Sequence, residues 1–462
     1  MALPTVVINS SGSDTAASGA GPTTALSGTA AATASSTTVT LSVDAPDLSG
    51  VATDGSAVIW VGSSSGRQFA KITATDNILK TVTVSDAYDN TESGKNWGIG
   101  GKRATLNGSL QLGPDCRAGW TIDLQTNDTL TANFNLKPNA VAGTQTTFKS
   151  TTGSAVAGTG VQLSTSTNSV WGVDTQNANN IQIRNIYFKS TAGTPGDGIG
   201  PAGSGGSASD VAISGCVIDG FRNGITGEDN GNNVQTVGLV INGCEVKNCT
   251  GRGVWVRQKG ATLTYNFIHN NTGRGGDVAN GQGVSAMSFC FNVFDNNGNS
   301  GGTGSGLQVQ SNQNTYCTIL NNAFSNNTGT NGHGLYLNTT TPSSFVVRNN
   351  ISYGNNGTNA VDVNADSNLI NAGVFDYNAY GTSSGSWVTG ANDVTLTANP
   401  FISSTDWGLN STGGGGAACK AVGANAPNAS ANAAPDLGPI PSGGGAVAGG
   451  PVETNFRGGF SN

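Results

Sequence analysis

Five stretches between residues 239 and 364 set the strongest constraint on this chain: LVINGCEVKNCTGRGVWV, ATLTYNFIHNNTGRGG, SFCFNVFDNNGNSGGTGSGLQV, CTILNNAFSNNTGTNGHGLYL and FVVRNNISYGNNGTNAVDV. Each is a short apolar run, an Asn/Gly turn and a second apolar run. One apolar column runs Ile183, Ile213, Ile241, Leu263, Phe289, Ile319, Val347, Phe375, at intervals of 22 to 30 residues. Three residues later stands Ile186, Cys216, Cys244, Asn266, Asn292, Asn322, Asn350, Asn378. Five residues after the first column stands Phe188, Ile218, Val246, Ile268, Phe294, Phe324, Ser352, Tyr380. Imperfect repeats that keep phase over this period specify a solenoid.

The runs are too short and too β-branched for helices, so the repeating units are strands. A strand has period two, so the first and third columns cannot both face inward along one straight strand. A bend therefore falls between them, at the Asn column. Asn suits a bend because it tolerates left-handed backbone and bonds local backbone. Its amide carries donors and an acceptor, so stacked copies can bond along the pile. The two cysteines in that column fit as small apolar members of the stack. The plainer alternative is that Asn and Gly only mark surface turns, and the shared phase argues against it. A second strand repeats as Gly-Val-Trp255-Val, Gly-Val-Ser285-Ala, Gly-Leu-Gln308-Val, Gly-Leu-Tyr336-Leu and Ala-Val-Asp362-Val. Its apolar flanks are expected to face in and its middle residues out, with coils about 4.8 Å apart.

This pattern resembles the right-handed parallel β-helix family of pectate lyases, surface polysaccharide enzymes and phage tailspikes. The resemblance covers residues 106–440 and implies an all-β solenoid; fold alone does not assign an activity. Residues 1–105 read differently. TTVTLSV, AVIWVG, FAKITA, KTVTVSD and NWGIGG alternate between turn signals, as a small antiparallel β-domain would. GVATDGSAVIWVGSSSGRQFAKIT and WGIGGKRATL are similar to N-terminal domains of phage-like β-helix proteins, and WGLNSTGGGGAACKAVG with PDLGPIP is similar to their C-terminal ends. That similarity implies an anchoring role for residues 1–105. Residues 441–462 form a Gly/Ala-rich tail ending NFRGGFSN, whose two aromatics could dock on a neighbour.

Composition narrows the function classes. Lys and Arg total 20 against 27 Asp and Glu, for a formal charge of −7. A sparsely charged, acidic surface argues against nucleic acid and anionic membranes as partners. No apolar stretch is long enough to cross a bilayer as a helix. MALPTVVINSSGSD lacks the basic and apolar regions of a signal peptide. Seven scattered cysteines fit free thiols in a protein folded in a reducing cytosol, and Cys244 and Cys249 lack partners at zinc spacing.

Two side-chain rows could carry function. The sixth position of each coil reads Lys189, Asp219, Lys247, His269, Asp295, Ser325, Tyr353. An enzyme would use His269 as a general base beside Asp295, with Lys247 as a charge stabiliser; the plainer alternative is a solvated ladder of alternating charge. The outward middle row offers Trp255, Gln308, Tyr336 and Asp362 as ligand-binding residues, with Ser285, Arg257, Gln310, Asn338, Asn364 and His333 nearby. Aromatic rings beside amides suit a sugar; a face covered by a loop or a subunit is the alternative. One carboxylate in that row falls short of the pair that glycoside hydrolysis needs. Glu228-Asp229 does not match a calcium loop, GTGSGL opens a strand, and Gly101-Lys102-Arg103 is no phosphate loop. No catalytic residue, metal or cofactor is assigned. The expectation is a phage virion protein (tailspike, fibre or capsid decoration) that attaches to a host glycan. It assembles as a homotrimer and contacts other virion proteins through residues 1–105 or the tail. A polysaccharide lyase or hydrolase, or a bacterial adhesin module, is the alternative.

Overall fold

The structure is a computed structural model. It describes residues 5–8, 29–32, 35–42, 48, 53, 58–61, 68–85, 87, 91–100, 121–134, 136, 145–175, 179–201, 208–227, 236–257, 260–279, 286–298, 304–311, 316–339, 344–357, 359, 361–365, 373–404, 406–423 and 438–439. The chain divides into two compact units, Met1–Ala212 and Ile213–Asn462.

The first unit holds the expected antiparallel β-structure. Strands Thr29–Ala32, Thr38–Leu41, Val58–Val61, Gln68–Asp76, Thr81–Val84 and Glu92–Gly100 close into a barrel. Alternation decides its inside: Val39, Leu41, Ile59, Val61, Ile72, Val82 and Val84 are all buried. The same unit contains parallel coils. Thr121–Leu124, Thr146–Lys149 and Asn179–Arg184 pair in sequence, which stacks Ile122, Phe148 and Ile183. Thr5–Ile8 pairs parallel with Thr121–Leu124, so this run within residues 1–105 belongs to the coil sheet, outside the barrel. It gives the open edge of that sheet a partner strand.

The second unit is a solenoid of three parallel ladders. The first contains Val240–Asn242, Thr262–Thr264, Ala286–Cys290, Tyr316–Leu320, Ser344–Arg348 and Gly373–Asp376. The second contains Val217–Asp219, Glu245–Lys247, Phe267–His269, Val293–Asp295, Ala323–Ser325 and Ile351–Tyr353, then Ala379–Tyr380 and Val394–Thr395. The third contains Ile225–Thr226, Val254–Arg257, Gly276–Ala279, Leu307–Ser311, Leu335–Thr339, Val363–Ala365 and Ser383–Gly385. Ile241, Leu263, Phe289, Ile319, Val347 and Phe375 occupy one rung position, as the sequence period requires. All but the half-buried Phe375 are buried. Opposite them Val246, Ile268, Phe294 and Phe324 are buried, with the two Phe rings stacked at 5.3 Å.

The bends are built by a division of labour. The left-handed residue is the one before the ladder Asn: Tyr265, Phe291, Asn321, Asn349 and Tyr377 all have φ between 55° and 59°. The following Asn turns inward. Asn266, Asn292, Asn322, Asn350 and Asn378 form a buried amide ladder in which each Nδ2 donates to the next Oδ1 at 2.9–3.0 Å. Each also donates to a backbone carbonyl, such as Asn322 Nδ2 to Phe289 O at 2.8 Å. The ladder begins at the Cys244 N–H and ends where the Asn378 N–H meets Asp393 Oδ1.

A second ladder, not read from the sequence, lies at the next bend. Asn271, Asn297, Asn327 and Asn355 repeat the arrangement, starting at the Cys249 N–H and ending on Asp362 Oδ1. Its left-handed residues are Asn270, Asn296, Asn326 and Gly354. A stack of amides donating in one direction leaves donors at its last member, and a carboxylate is acceptor-only, so both ladders close on aspartate. Glycines lean against this second ladder. A Cβ on Gly306 would lie 2.6 Å from Gly334 O and 2.8 Å from Asn327 Nδ2, so only glycine fits.

The C-terminal part of the unit folds over the outside of the second sheet. Phe401, Trp407, Leu409 and Cys419 pack against Val293, Ala323, Ile351 and Ala379, the outward residues of successive rungs. Cys419 ends a one-turn helix, Gly416–Cys419. No helix of the described residues is long and apolar enough to cross a membrane.

Candidate functional site

The sixth-position row folds into true rungs. Asp219, Lys247, His269, Asp295, Ser325 and Tyr353 follow one another along the outer face of the second sheet. Lys189 sits in the first unit, beside Ser164. Period two places position four of each coil on the same outer face, and this adds Glu245, which column counting had passed over.

Glu245 is the centre of the polar cluster. Its Oε1 accepts from Lys247 Nζ at 2.9 Å and lies 3.0 Å from His269 Nε2. Asn270 Nδ2 faces His269 Nδ1 at 2.9 Å, and Asn296 Nδ2 donates to Asn270 Oδ1 at 2.6 Å. Nδ1 therefore serves as the acceptor and Nε2–H donates to Glu245. The His269 ring stacks on Phe267 at 3.8 Å, and Phe267 meets Trp407 at 6.2 Å. Asp295 accepts from Ser325 Oγ at 2.7 Å and Asn326 Nδ2 at 2.9 Å. Asp219 accepts from Asn248 Nδ2 at 2.8 Å.

The two central carboxylates are shifted in opposite directions from their ordinary values. Burial acts to raise Glu245, but the bonds and charges of His269 and Lys247 outweigh it and hold the carboxyl below its ordinary value. Burial dominates at Asp295 and holds it above its ordinary value, with Ser325 and Asn326 offsetting only part.

The other row departs from the sequence alignment. Along the third sheet the rung runs Trp255, Asp277, Gln308, Tyr336, Asn364. Asp277 stands where Ser285 was expected, and Ser285 lies outside the described residues. The stretch GRGGDVANGQGVS offers two glycine-led runs, and Gly276–Ala279 takes the strand. Asp362 is two residues out of register: Asn364 pairs with Tyr336, and Asp362 turns in to close the amide ladder. Its other oxygen accepts from Thr382 N and Oγ1. Trp255, Gln308 and Asp362 are buried, while Tyr336 is half-buried. Arg252 lies over the Trp255 ring at 4.3 Å and pairs with Asp277, as does Arg274 at 2.9 Å. His333 is buried, accepts the Val361 N–H at 3.1 Å and lies 4.9 Å from Tyr336. Glu228-Asp229, Gly101-Lys102-Arg103, the Arg257 side chain and the 441–462 tail also lie outside the described residues.

Among the described residues, Cys216, Cys244, Cys249, Cys290, Cys317 and Cys419 form no disulfide, and all but Cys290 are buried.

Comparison with known proteins gives the following. Pectate lyase Pel9A shares 15% identity, covering 74% of this chain and 92% of its own, with a TM-score of 0.41. The tailspike gp61 of Pseudomonas phage phi297 shares 15%, covering 78% and 62%, with a TM-score of 0.30. The PL6 family alginate lyase AlyGC shares 13%, covering 64% and 53%, with a TM-score of 0.31. Comparison with curated proteins finds no match. Residues 197–424 match the family described as right handed beta helix region. Together with the three parallel ladders, that match identifies this part of the chain as a right-handed parallel β-helix.

Proposed function

We propose that the chain is a glycan-binding β-helix protein of a phage-type particle, serving as a spike, fibre or capsid-surface protein. One observation carries the glycan reading: the outer face of the second sheet sets Lys247 and His269 on successive rungs, and beside them Asn248, Asn270, Asn296 and Asn326 continue along four rungs as exposed or half-buried amides, while Asp295 and Ser325 are themselves buried. This is a straight array of donors and acceptors at about 4.8 Å intervals. An extended polysaccharide presents hydroxyls with a comparable linear repeat. On the third sheet, ligand contact falls to Tyr336, because Trp255, Gln308 and Asp362 are buried. The particle assignment rests on the likeness of the N- and C-terminal segments to phage proteins. It carries with it the homotrimer, residues 1–105 as anchor, and a virion location after synthesis in the host cytoplasm.

Titration calorimetry against host capsular and envelope polysaccharides tests the reading. Binding to one of them, lost in Lys247→Ala/His269→Ala, supports it; no binding to any host glycan overturns it. A second reading, glycan cleavage, is favoured by the placement of Glu245 at 3.0 Å from His269 Nε2, with Asp295 on the next rung beside His269. New reducing ends or unsaturated sugars, abolished in Glu245→Gln and Asp295→Asn, would make the protein an enzyme.

A further inference from the structure

The left-handed residue of the first bend is Gly at 215 and 243 and Asn at 321 and 349. These are the residue types that take this conformation at little cost. Three coils instead place a bulky aromatic there: Tyr265 at φ 57°, Phe291 at φ 59° and Tyr377 at φ 59°. A bulky side chain at positive φ is strained, and such strain persists where something else holds it. Tyr377 has a packing reason, since it lies against the C-terminal cluster of Phe401, Trp407 and Leu409. Tyr265 and Phe291 are not part of that cluster. They stack on each other, with centroids 5.0 Å apart and planes 8° from parallel. Tyr265 nevertheless remains 39% exposed and Phe291 half-buried. The fold needs a left-handed residue at these two bends; it does not need aromatic rings.

We infer that Tyr265 and Phe291 form a stacking platform for an uncharged pyranose residue of a glycan, an inference that rests on the glycan-binding reading above. Stacked at 5.0 Å, the two rings cover each other's facing surfaces; the outer face of the stack is that of Tyr265 on the side of Gly243, which carries no side chain, and the C–H face of a pyranose is its complement. The first-sheet side chains beside them are neutral. Thr264 Oγ1 donates to Asn242 Oδ1 at 3.0 Å, and Ser288 Oγ lies 3.2 Å from Cys290 Sγ. Hydroxyls and an amide suit the hydroxyl rim of a sugar, and their neutrality selects an uncharged ring at this position.

The test uses the residue that neighbouring bends already carry. Tyr265→Asn, Phe291→Asn and the double variant are compared with the wild type by thermal melting and by titration with the polysaccharide the wild type binds. The double variant is expected to melt at or above the wild-type temperature while losing about tenfold or more in affinity. Phe291→Tyr keeps the platform and is expected to bind like the wild type. Wild-type affinity in the double variant overturns the platform and leaves the glycan reading standing. A lower melting temperature in the double variant also overturns it, because the rings would then be structural. A wild type that binds no polysaccharide defeats both.

Discussion

Asn322→Leu keeps the volume of a central ladder residue and removes every polar atom of its side chain. Asn322 Oδ1 accepts the Asn292 backbone N–H at 2.9 Å and Asn292 Nδ2 at 3.0 Å. Its Nδ2 donates to Phe289 O at 2.8 Å and Asn350 Oδ1 at 2.9 Å. After substitution, the Asn292 N–H loses the Oδ1 acceptor at a site with no exposure. Orphaning a buried donor costs about 1–3 kcal/mol. The other groups keep part of their bonding: Asn292 Nδ2 still reaches Leu263 O, and Asn350 Oδ1 still accepts the residue-322 N–H. Each of these two weakened sites adds about 0.5–1 kcal/mol, for a total of about 2–5 kcal/mol. For a unit of this size that lowers the melting temperature by about 4–20 °C. Urea titration and calorimetry measure both quantities. Asn356→Leu is the control, an exposed Asn that, like Asn322, is the second of an Asn-Asn pair, and it should move stability by less than about 0.5 kcal/mol. Equal effects of the two substitutions, or an unchanged melting temperature for Asn322→Leu, would refute the claim that the buried amide is a structural bond donor and acceptor.

Other outcomes follow from neighbouring sites. Glu245 is held below its ordinary value, so its contribution is complete above about pH 4.3 and lost as pH falls through the lower folded value; Glu245→Gln should flatten the acid side of the stability–pH curve. Asp295 is held high, so its contribution has the opposite sign, present at low pH and lost as pH rises through the folded value; Asp295→Asn should remove that loss. Trp407→Ala strips the cover from the Val293–Ala323–Ile351 row, and a loss of about 3–5 kcal/mol is expected by denaturant unfolding. Among the six described thiols, Cys290 should react first with a maleimide under native conditions, and the other five only on unfolding; burial holds both Cys290 and Cys317 above the ordinary thiol value.

The columns from Ile241 to Val347 and the Asn row from 266 to 378 were legible because a solenoid repeats one solution to the burial problem. Every coil must turn a residue inward at the same step, so phase in the chain becomes a row in space. The second ladder was equally written in the doublets Asn270-Asn271, Asn296-Asn297 and Asn326-Asn327. It escaped because the left-handed Asn and the inward Asn share one residue type, and only geometry separates their roles. The register of the third sheet failed at Ser285 and Asp362 for a related reason. Glycine-led runs occur twice in GRGGDVANGQGVS, and an aspartate that closes an amide ladder looks like any outward polar residue.

The sequence by itself determined the all-β solenoid, its inward rows and the existence of a bend at the Asn column, because these depend on local period and side-chain type. Tertiary structure alone decided which polar groups meet. Glu245 reaches His269 across 24 residues of chain, Tyr265 stacks on Phe291 from the next coil, and the segment around Trp407 folds back over rungs that precede it by about a hundred residues. Loop length between coils varies, so separation along the chain does not give separation in space; only the rung register, set by the packing of the whole core, turns one into the other.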